Sequence, residues 1–238
     1  MPEVKVIQAN SLDWICNLED ESVNLILTDP PYWTLEKWRN VGTTTRLGGN
    51  RDKSKQDKDK WFDTISQDDL WGVINDFGRI LKKNSHCYIF CDHEVMPIIL
   101  MWIREGETVF NYSKPLVWDK MSPGLGYHYR ARHEYIVMLE KGKRRLNNLS
   151  IPDVLQYKRI AGNHYPTEKP LELIETLLLN STQEGELVLD PFCGSGVVGE
   201  ACKKHGRSAI LIDNSPKAIE VTQQRLESCN QKSFLEIG

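Results

Sequence analysis

Residues 187–201 read LVLDPFCGSGVVGEA, and this stretch decides the fold class. A short apolar strand is followed directly by a glycine-rich turn and the start of a helix, which is the order of a ligand-binding loop in an open α/β sheet. Gly194, Gly196 and Gly199 have the G-x-G-x-x-G spacing, and Asp213 follows at the end of the next predicted strand. The stretch therefore predicts a cofactor loop at the carboxyl end of a buried strand.

The charge in this loop bears on which cofactor it binds. Asp190 stands between the strand and the glycines, where a carboxylate repels a pyrophosphate and attracts a cationic group. S-adenosylmethionine carries an ammonium group, and its ribose offers a diol to Asp213. The sequence favours this cofactor, although the glycine spacing by itself leaves a dinucleotide open.

The residues on both sides of the loop alternate between strand and helix patterns. We predict strands at 4–9, 23–27, 86–91, 114–118, 134–140, 187–189 and 209–212. We predict a first helix over 12–19 with Ser11 as its N-cap, and further helices at 70–81, 95–104, 171–179, 197–205 and 216–226. This alternation predicts an α/β fold with a doubly wound, seven-stranded, mostly parallel sheet and an antiparallel hairpin at one edge.

A second loop, Asp29-Pro30-Pro31-Tyr32, follows the apolar run 23–27. Two prolines restrict the backbone, so the Asp29 carboxylate and the Pro30 carbonyl can be aimed at one amino group. Hydrogen bonds from both protons of a planar exocyclic amine to these two acceptors favour an sp³-like nitrogen with a free lone pair. Tyr32 would stack on the base that carries the amine. The alternative is a Pro-Pro turn with an Asp cap.

The 238-residue chain carries 33 acidic and 30 basic side chains and a net charge of −3. Its longest apolar stretch, 95–103, is far short of the roughly 20 residues that cross a bilayer, and its N-terminus lacks the pattern of a secretory signal. We therefore expect a cytoplasmic protein with reduced cysteines. A metal site is not expected, because the grouping of His86, Cys87, Cys91 and His93 lacks a standard ligand spacing and fits a strand.

The basic residues are concentrated in two segments, 37–60 and 141–159, each with many more bases than acids. Such segments attract nucleic-acid phosphate, although each is also compatible with a solvated loop. Arg130 and Arg132 follow a glycine-rich loop between two predicted strands. We predict nucleic-acid contacts at Lys53, Lys55, Lys58, Arg130, Arg132, Lys143, Arg144 and Arg145.

The combination of DPPY with DPFCGSG resembles the amino-methyltransferases of DNA, and the order of the two loops resembles their circularly permuted β class. Residues 166–170, PTEKP, are similar to the family's HPTxKP, and 130–142, RARHEYIVMLEKG, resemble the strand after its target-base pocket. The resemblance implies cofactor contacts from Thr167 and Lys169 near the methionine end. With these two, the implied cofactor residues are Asn10, Asp190, Phe192, Gly194, Gly196 and Asp213.

This chain departs from the family pattern at two places. Ala9-Asn10 stands where the family often has Gly-Asp, so Asn10 would contact the cofactor without charge. Tyr165 stands directly before Pro166, which displaces the histidine to His164, and no role is carried onto that histidine. The segment 141–165 is short for a target-recognition segment, and the basic loop 33–60 is expected to supply DNA contacts instead.

The resemblance implies one catalytic domain over 1–238 that transfers a methyl group from S-adenosylmethionine to N6 of adenine in double-stranded DNA after base flipping. Expected partners beyond DNA are a second copy of the chain and a cognate restriction endonuclease. Two alternatives stay open: N4-cytosine methylation, and a non-catalytic DNA-binding accessory protein with the same fold. C5-cytosine methylation is disfavoured because no Pro-Cys pair occurs.

Overall fold

A computed structural model describes residues 2–36, 63–106, 108–124, 128–160, 165 and 167–235, with the backbone alone for 230–235. Within these residues one sheet has the strand order β1-β8-β7-β2-β3-β5-β4-β6. The strands are β1 (Val4–Gln8), β2 (Val23–Thr28), β3 (Leu81–Cys91), β4 (Tyr112–Asp119), β5 (His133–Lys141), β6 (Val154–Gln156), β7 (Leu187–Asp190) and β8 (Ser208–Asp213).

The first five strands in this order, β1, β8, β7, β2 and β3, are parallel to one another. Strand β5 is antiparallel to both of its neighbours, and β6 adds parallel to β4. The predicted α/β class with a mostly parallel sheet is confirmed. The strand count of seven is wrong, and the β4–β5 hairpin is not at the edge, because β6 pairs outside it. With three residues, β6 is too short to give a recognisable alternation in the sequence.

Helices cover both faces of the sheet. On one face lie α1 (Ser11–Ile15), α2 (Gln67–Ile80) and α3 (Val95–Arg104), and on the other lie α4 (Leu171–Ser181), α5 (Val197–Lys204) and α6 (Pro216–Leu235). The central strands serve both cores: Ile26 packs on the first face, and Leu25 and Leu27 pack on the second. Burial on both faces explains why these strands read as continuous apolar runs.

The start of α1 differs from the prediction. Asn10 rather than Ser11 is the N-cap, since its Oδ1 accepts a hydrogen bond from the Leu12 N–H at 3.0 Å. Ser11 is instead buried, and its hydroxyl donates to the Pro191 carbonyl. The first βα turn is thereby tied to the predicted cofactor loop.

Among the described helices, none combines the length and the apolar character that a bilayer crossing needs. Of the grouping His86, Cys87, Cys91 and His93, the first three lie on β3, with His86 on the opposite face from the two cysteines. Cys87 and Cys91 pack in the core under α2 and α3. The His86 ring lies 2.8 Å from Ser181 Oγ and 3.1 Å from the Arg144 carbonyl oxygen, so both of its nitrogens have protein partners.

Candidate active site

The two predicted loops meet at the centre of the sheet. Strands β2 and β7 are neighbours, and the helices that follow them lie on opposite faces, which makes this a topological switch point of the kind where α/β sheets bind ligands. Thr28, the last residue of β2, donates from its hydroxyl to Asp190 Oδ1 across the 2.9 Å between them. One pocket at this carboxyl edge of the sheet is lined by all residues of the DPPY loop and by the glycine-rich loop.

The DPPY loop is held by the chain that returns to it at residue 65. The Ile65 N–H donates to the Pro31 carbonyl at 2.8 Å, and the Tyr32 N–H donates to the Pro30 carbonyl at 3.0 Å. Tyr32 lines the pocket and is 6% exposed. The Pro30 carbonyl keeps a second lone pair for a ligand. The loop therefore presents a carboxylate, a carbonyl and an aromatic ring to one space.

Asp29 has a partner that the sequence did not assign to it. Lys169 Nζ donates to Asp29 Oδ2 and also lies 3.6 Å from a Glu134 carboxylate oxygen. Burial raises the pKa of Asp29, and the Lys169 charge opposes that rise. The resemblance placed Lys169 beside the cofactor, whereas in this structure it joins the two halves of the pocket.

Glu134 and Lys120 are site residues that sequence reasoning missed. Glu134 is the second residue of β5 and lines the pocket, and Lys120 Nζ lies 2.6 Å from its carboxylate. Burial by itself would raise the pKa of Glu134, but Lys169 and Lys120 bring it below its usual value. The available signal was the RHEYI stretch, in which a carboxylate enters an apolar strand.

The glycine-rich loop has the backbone that its glycines allow. Gly194 and Gly196 have φ of +48° and +75°, in the left-handed region, and Gly196 is the N-cap of α5. A Cβ on Gly196 would lie 2.7 Å from Thr222 Oγ1. Thr222 is buried, and its hydroxyl donates to the Gly194 carbonyl at 3.0 Å. The turn is therefore fixed from the side of α6.

Asp213 and Asp190 are the two carboxylates next to this turn. Asp213 accepts from the Gly194 N–H at 3.0 Å and from the Ser215 N–H at 2.9 Å. Burial raises the pKa of Asp213, and these N–H donors oppose the rise. Burial raises the pKa of Asp190 to about 7, against hydrogen bonds from Thr28 and the Phe192 N–H.

Four other pocket residues were predicted or flagged from the sequence. Asn10, Phe192 and Thr167 all line the pocket, although the Asn10 amide oxygen also serves as the cap of α1. Thr167 has a φ of +61°, which a β-branched residue adopts rarely and mostly at functional sites. Tyr165 is 6% exposed and packs on Gly194, so the residue that displaces the family's histidine lies at the cofactor turn.

The predicted DNA-contacting residues are separated by the structure. Arg130 and Arg132 are exposed just before β5, whose start lies at the carboxyl edge because it pairs antiparallel to the end of β3. The Arg132 guanidinium makes two hydrogen bonds to Asp119, at 2.6 and 2.7 Å. This guanidinium holds the pKa of Asp119 at about 2.

The other basic residues are not brought to the pocket. Lys143, Arg144 and Arg145 follow the end of β5 at the opposite, amino edge of the sheet. The Arg144 guanidinium is bound to Glu186, with the closer contact at 2.8 Å. The structure therefore does not support DNA contacts by these three beside the target pocket. Lys53, Lys55 and Lys58 lie outside the described residues.

The donor set around the glycine turn fits S-adenosylmethionine. Gly194 lines the pocket, whereas Gly196 is buried against Thr222 and shapes the turn without lining the pocket. Asp213 stands at the end of β8, where it can accept from a ribose diol. Asp190 is a buried carboxylate whose partners, a hydroxyl and an N–H, are neutral, so a cationic ligand would find an uncompensated negative charge.

Comparison with known proteins agrees with this site. The N6/N4 methyltransferase family described as DNA methylase matches residues 23–160 and 147–224. Type II methyltransferase M.HhaII of Haemophilus parahaemolyticus is 30% identical over 211 residues, which cover 86% of this chain and 88% of that protein. DNA adenine methyltransferase YhdJ of Escherichia coli (strain K12) is 26% identical over 271 residues, covering 98% and 86%.

The fold has a solved counterpart. The crystal structure of the M1.HpyAVI–SAM complex matches with a TM-score of 0.68 at 24% identity, over 93% of this chain and 99% of that chain. The fold is that of the S-adenosylmethionine-dependent DNA methyltransferases. Because the family model matches most of the chain and M.HhaII is 30% identical over 86% of it, the chain belongs to the DNA methylase family.

Proposed function

We propose that this protein transfers a methyl group from S-adenosylmethionine to N6 of adenine in DNA. The observation that carries this proposal is that Asp29 lines the same pocket as Asp190 and Asp213. One half offers acceptors for an amine and an aromatic ring for a base. The other half offers a glycine turn and two carboxylates for a cofactor with a ribose and a positive charge.

S-adenosylmethionine, when bound, supplies a methyl group activated by a sulfonium. Asp213 would hold the ribose hydroxyls, and Gly194 would line the cofactor side of the pocket. Asp190 would stabilise the positively charged end, since its charge is buried without a cationic partner among the hydrogen bonds that it accepts. Tyr165 and Phe192 would line the adenosine side.

The DPPY loop would prepare the amine. Asp29 Oδ2 is taken by Lys169, so Oδ1 is the oxygen that accepts one N6 proton, and the Pro30 carbonyl accepts the other. These bonds favour the pyramidal nitrogen of the transition state over the planar ground state. Tyr32 would stack on the flipped base. Asp29 then accepts the surplus proton as the nitrogen becomes a secondary amine.

The choice of adenine over cytosine rests on Asp29 and on a relative. N4-cytosine enzymes of this family more often carry serine at the position of Asp29, and YhdJ is named a DNA adenine methyltransferase. N4-cytosine methylation uses the same logic on another exocyclic amine and is the second candidate.

DNA would reach the pocket across the carboxyl edge, where Arg130 and Arg132 are exposed. The basic loop 33–60 is proposed to contribute further phosphate contacts. A homodimer, a cognate restriction endonuclease and a cytoplasmic location stay predictions. Sedimentation at working concentration tests the dimer, and monomeric behaviour would contradict it.

The base assignment is tested by incubating the purified protein and labelled S-adenosylmethionine with mixed-sequence DNA, followed by digestion to nucleosides and mass spectrometry. We expect N6-methyladenine, absent when Asp29→Ala replaces the wild type. N4-methylcytosine would overturn the base assignment while keeping the fold and cofactor. DNA methylation that persists in Asp29→Ala would overturn the role of the DPPY carboxylate.

A further inference from the structure

Lys169 is buried at the junction of the two halves of the pocket. It is 6% exposed, and its ammonium donates to Asp29 Oδ2. The same ammonium lies 3.3 Å from the Thr167 carbonyl oxygen and 5.1 Å from the centre of the Phe90 ring. A lysine held on these sides has few alternative rotamers, so its charge is fixed against one oxygen of the carboxylate.

Two further charges extend this contact into a row. Glu134 Oε2 lies 3.6 Å from Lys169 Nζ, and Lys120 Nζ lies 2.6 Å from Glu134 Oε1. Lys120 also stands 5.4 Å from the Trp118 ring centre. The order is Asp29, Lys169, Glu134, Lys120, with two negative and two positive charges. Alternating charges of this kind compensate one another where water is partly excluded.

We propose that Lys169 is a positioning residue for Asp29, in a row of alternating charges that continues through Glu134 and Lys120. Lys169 occupies one carboxylate oxygen and keeps the group ionised, so that the other oxygen is directed to the target amine. This inference rests on the proposed methyl transfer. It assigns Lys169 to the target-base side, in contrast to the cofactor role that the sequence pattern implies.

The electrostatics of the site agree with this geometry. Burial raises the pKa of Asp29, and Lys169 lowers it most strongly. The Glu134 charge raises this pKa further, and the Lys120 charge lowers it. The other titratable groups that face Asp29 are Tyr32, Cys91, Tyr165 and Asp190. Burial raises the pKa of each of these four groups, so at neutral pH Lys169 is the adjacent full charge that favours the carboxylate.

The ionised state matters because a carboxylate is the stronger acceptor. Hydrogen bonds to a charged acceptor are shorter and roughly twice as strong as neutral ones. A protonated Asp29 would also be unable to accept the surplus proton of the product amine. Loss of the Lys169 charge should therefore move the protonation of Asp29 to higher pH, and loss of the Glu134 charge should move it to lower pH.

The test measures single-turnover methyl transfer from pH 5.5 to 9.5 for the wild type, Lys169→Met, Lys169→Arg and Glu134→Gln. Lys114→Met is the matched control, since Lys114 forms an ion pair with Asp153 away from the pocket. Binding of S-adenosylmethionine to each variant is measured by calorimetry in parallel.

For Lys169→Met we expect a rate at least tenfold lower at neutral pH. The acid limb, which is the low-pH part of the pH–rate profile where the rate falls as Asp29 is protonated, should move upward by one pH unit or more. The rate should recover at high pH. Lys169→Arg and Lys114→Met should keep the wild-type limb, and Glu134→Gln should displace it downward. Affinity for S-adenosylmethionine should change less than threefold in Lys169→Met.

Three results would overturn the inference: an unshifted limb in Lys169→Met, a uniform loss at every pH, or a tenfold loss of cofactor affinity. If Lys169→Met does not fold, the pH–rate profile of Glu134→Gln tests the proposal. An acid limb that is unchanged or moved upward in this variant would contradict it. A wild type that methylates no DNA defeats the proposed function instead, and calorimetry separates that outcome from failed cofactor binding.

Discussion

At the scale of single residues, the two carboxylates that follow or end the neighbouring strands β2 and β7 have different partners. Asp29 lies against Lys169, whereas Asp190 on the neighbouring strand accepts only from a hydroxyl and an N–H among its side-chain contacts. Burial raises the pKa of Asp190 to about 7. A carboxyl group kept half-protonated near neutral pH is one that a cationic ligand would ionise on binding.

Asp190 should make stability fall as pH rises. Its pKa in the folded protein is above the unfolded value of about 3.9, so the native state binds more protons, and stability is lost between about pH 4 and pH 7. Asp190→Asn removes that loss. We expect the free energy of unfolding of Asp190→Asn relative to the wild type, measured by thermal denaturation, to rise from pH 5 to pH 8 by about 1 kcal/mol or more.

The matched control is Asp153→Asn on the surface. Lys114 holds the pKa of Asp153 below its usual value, so this change should give no such rise with pH. If the difference in stability between Asp190→Asn and the wild type did not change with pH, Asp190 would be ionised over the whole range.

Gly196 should be intolerant of alanine. Its φ is +75°, and a Cβ would lie 2.7 Å from Thr222 Oγ1, so Gly196→Ala meets both backbone strain and a collision. We expect a loss of about 2 kcal/mol or more, seen in thermal denaturation. Gly72→Ala is the control, because that glycine is exposed within α2 and has open space around its Cα. Gly72→Ala should stabilise the protein by about 0.5–1 kcal/mol. Equal losses of stability in Gly196→Ala and Gly72→Ala would contradict this prediction.

Residue types at the two loops could be predicted from the sequence because the chemistry is local there. DPPY and the glycine turn each carry their donors within a few residues of chain. The contact of Lys169 with Asp29, and its extension through Glu134 and Lys120, could not be predicted, because these residues come from separate segments of the chain. Their association depends on strand register, which no single segment of sequence encodes.

At the scale of elements, the segment 167–170 before α4 is anchored by Arg225 of α6. The Arg225 guanidinium donates to Glu168, to Glu200 at 2.6 Å and to the Ser195 carbonyl at 2.7 Å. One side chain thus connects the Thr167–Lys169 segment, the glycine turn and α5. Burial would lower the pKa of Arg225, but the two glutamates raise it above its usual value.

Arg225→Met should loosen both the glycine turn and the segment before α4. Two carboxylates lose their cation, so we expect a stability loss of about 1–3 kcal/mol and weaker S-adenosylmethionine binding. Thermal denaturation and calorimetry measure the two effects. Arg145→Met, at an exposed position on the amino edge, is the control and should change neither. Unaltered cofactor affinity in a folded Arg225→Met protein would argue against the anchoring role.

Element positions were largely predictable, while their ends were not. Helix α3 has the predicted bounds, and the burial of β2 on both faces explains its clear apolar pattern. Strand β3 begins at Leu81, five residues before the prediction, since its polar start pairs at an irregular register with β2. The Asn10 cap was missed because Ser11 satisfies the same local rule.

At the scale of the whole molecule, the two edges of the sheet divide the basic residues. Arg130 and Arg132 lie at the carboxyl edge with the pocket, and Lys143 and Arg145 lie at the amino edge. From the sequence, both pairs were predicted to contact DNA. The structure separates them because β5 carries the chain from one edge to the other.

This separation predicts how DNA binding depends on salt. The double variant Arg130→Gln/Arg132→Gln should weaken binding and reduce the slope of log K against log salt by about one to two. The double variant Lys143→Gln/Arg145→Gln has the same charge change and should leave the slope as it is. Titrations of DNA at several salt concentrations measure both slopes. A larger effect from the second variant would place DNA on the opposite edge.

The architecture itself was predictable to the level of class and strand direction, because alternating elements allow few arrangements. The meeting of the two loops follows from the adjacency of β2 and β7, whose residues are more than 150 positions apart in the chain. That adjacency is the feature on which the proposed function depends.

The division of the pocket into a target-base half and a cofactor half is tested by comparing Asp29→Asn with Asp213→Asn, by S-adenosylmethionine calorimetry and by single-turnover methylation of DNA. We expect Asp29→Asn to bind the cofactor like the wild type and to lose methyl transfer about 100-fold or more, and Asp213→Asn to lose cofactor affinity. Methyl transfer that survives Asp29→Asn, or cofactor binding that fails equally in both variants, would contradict this division.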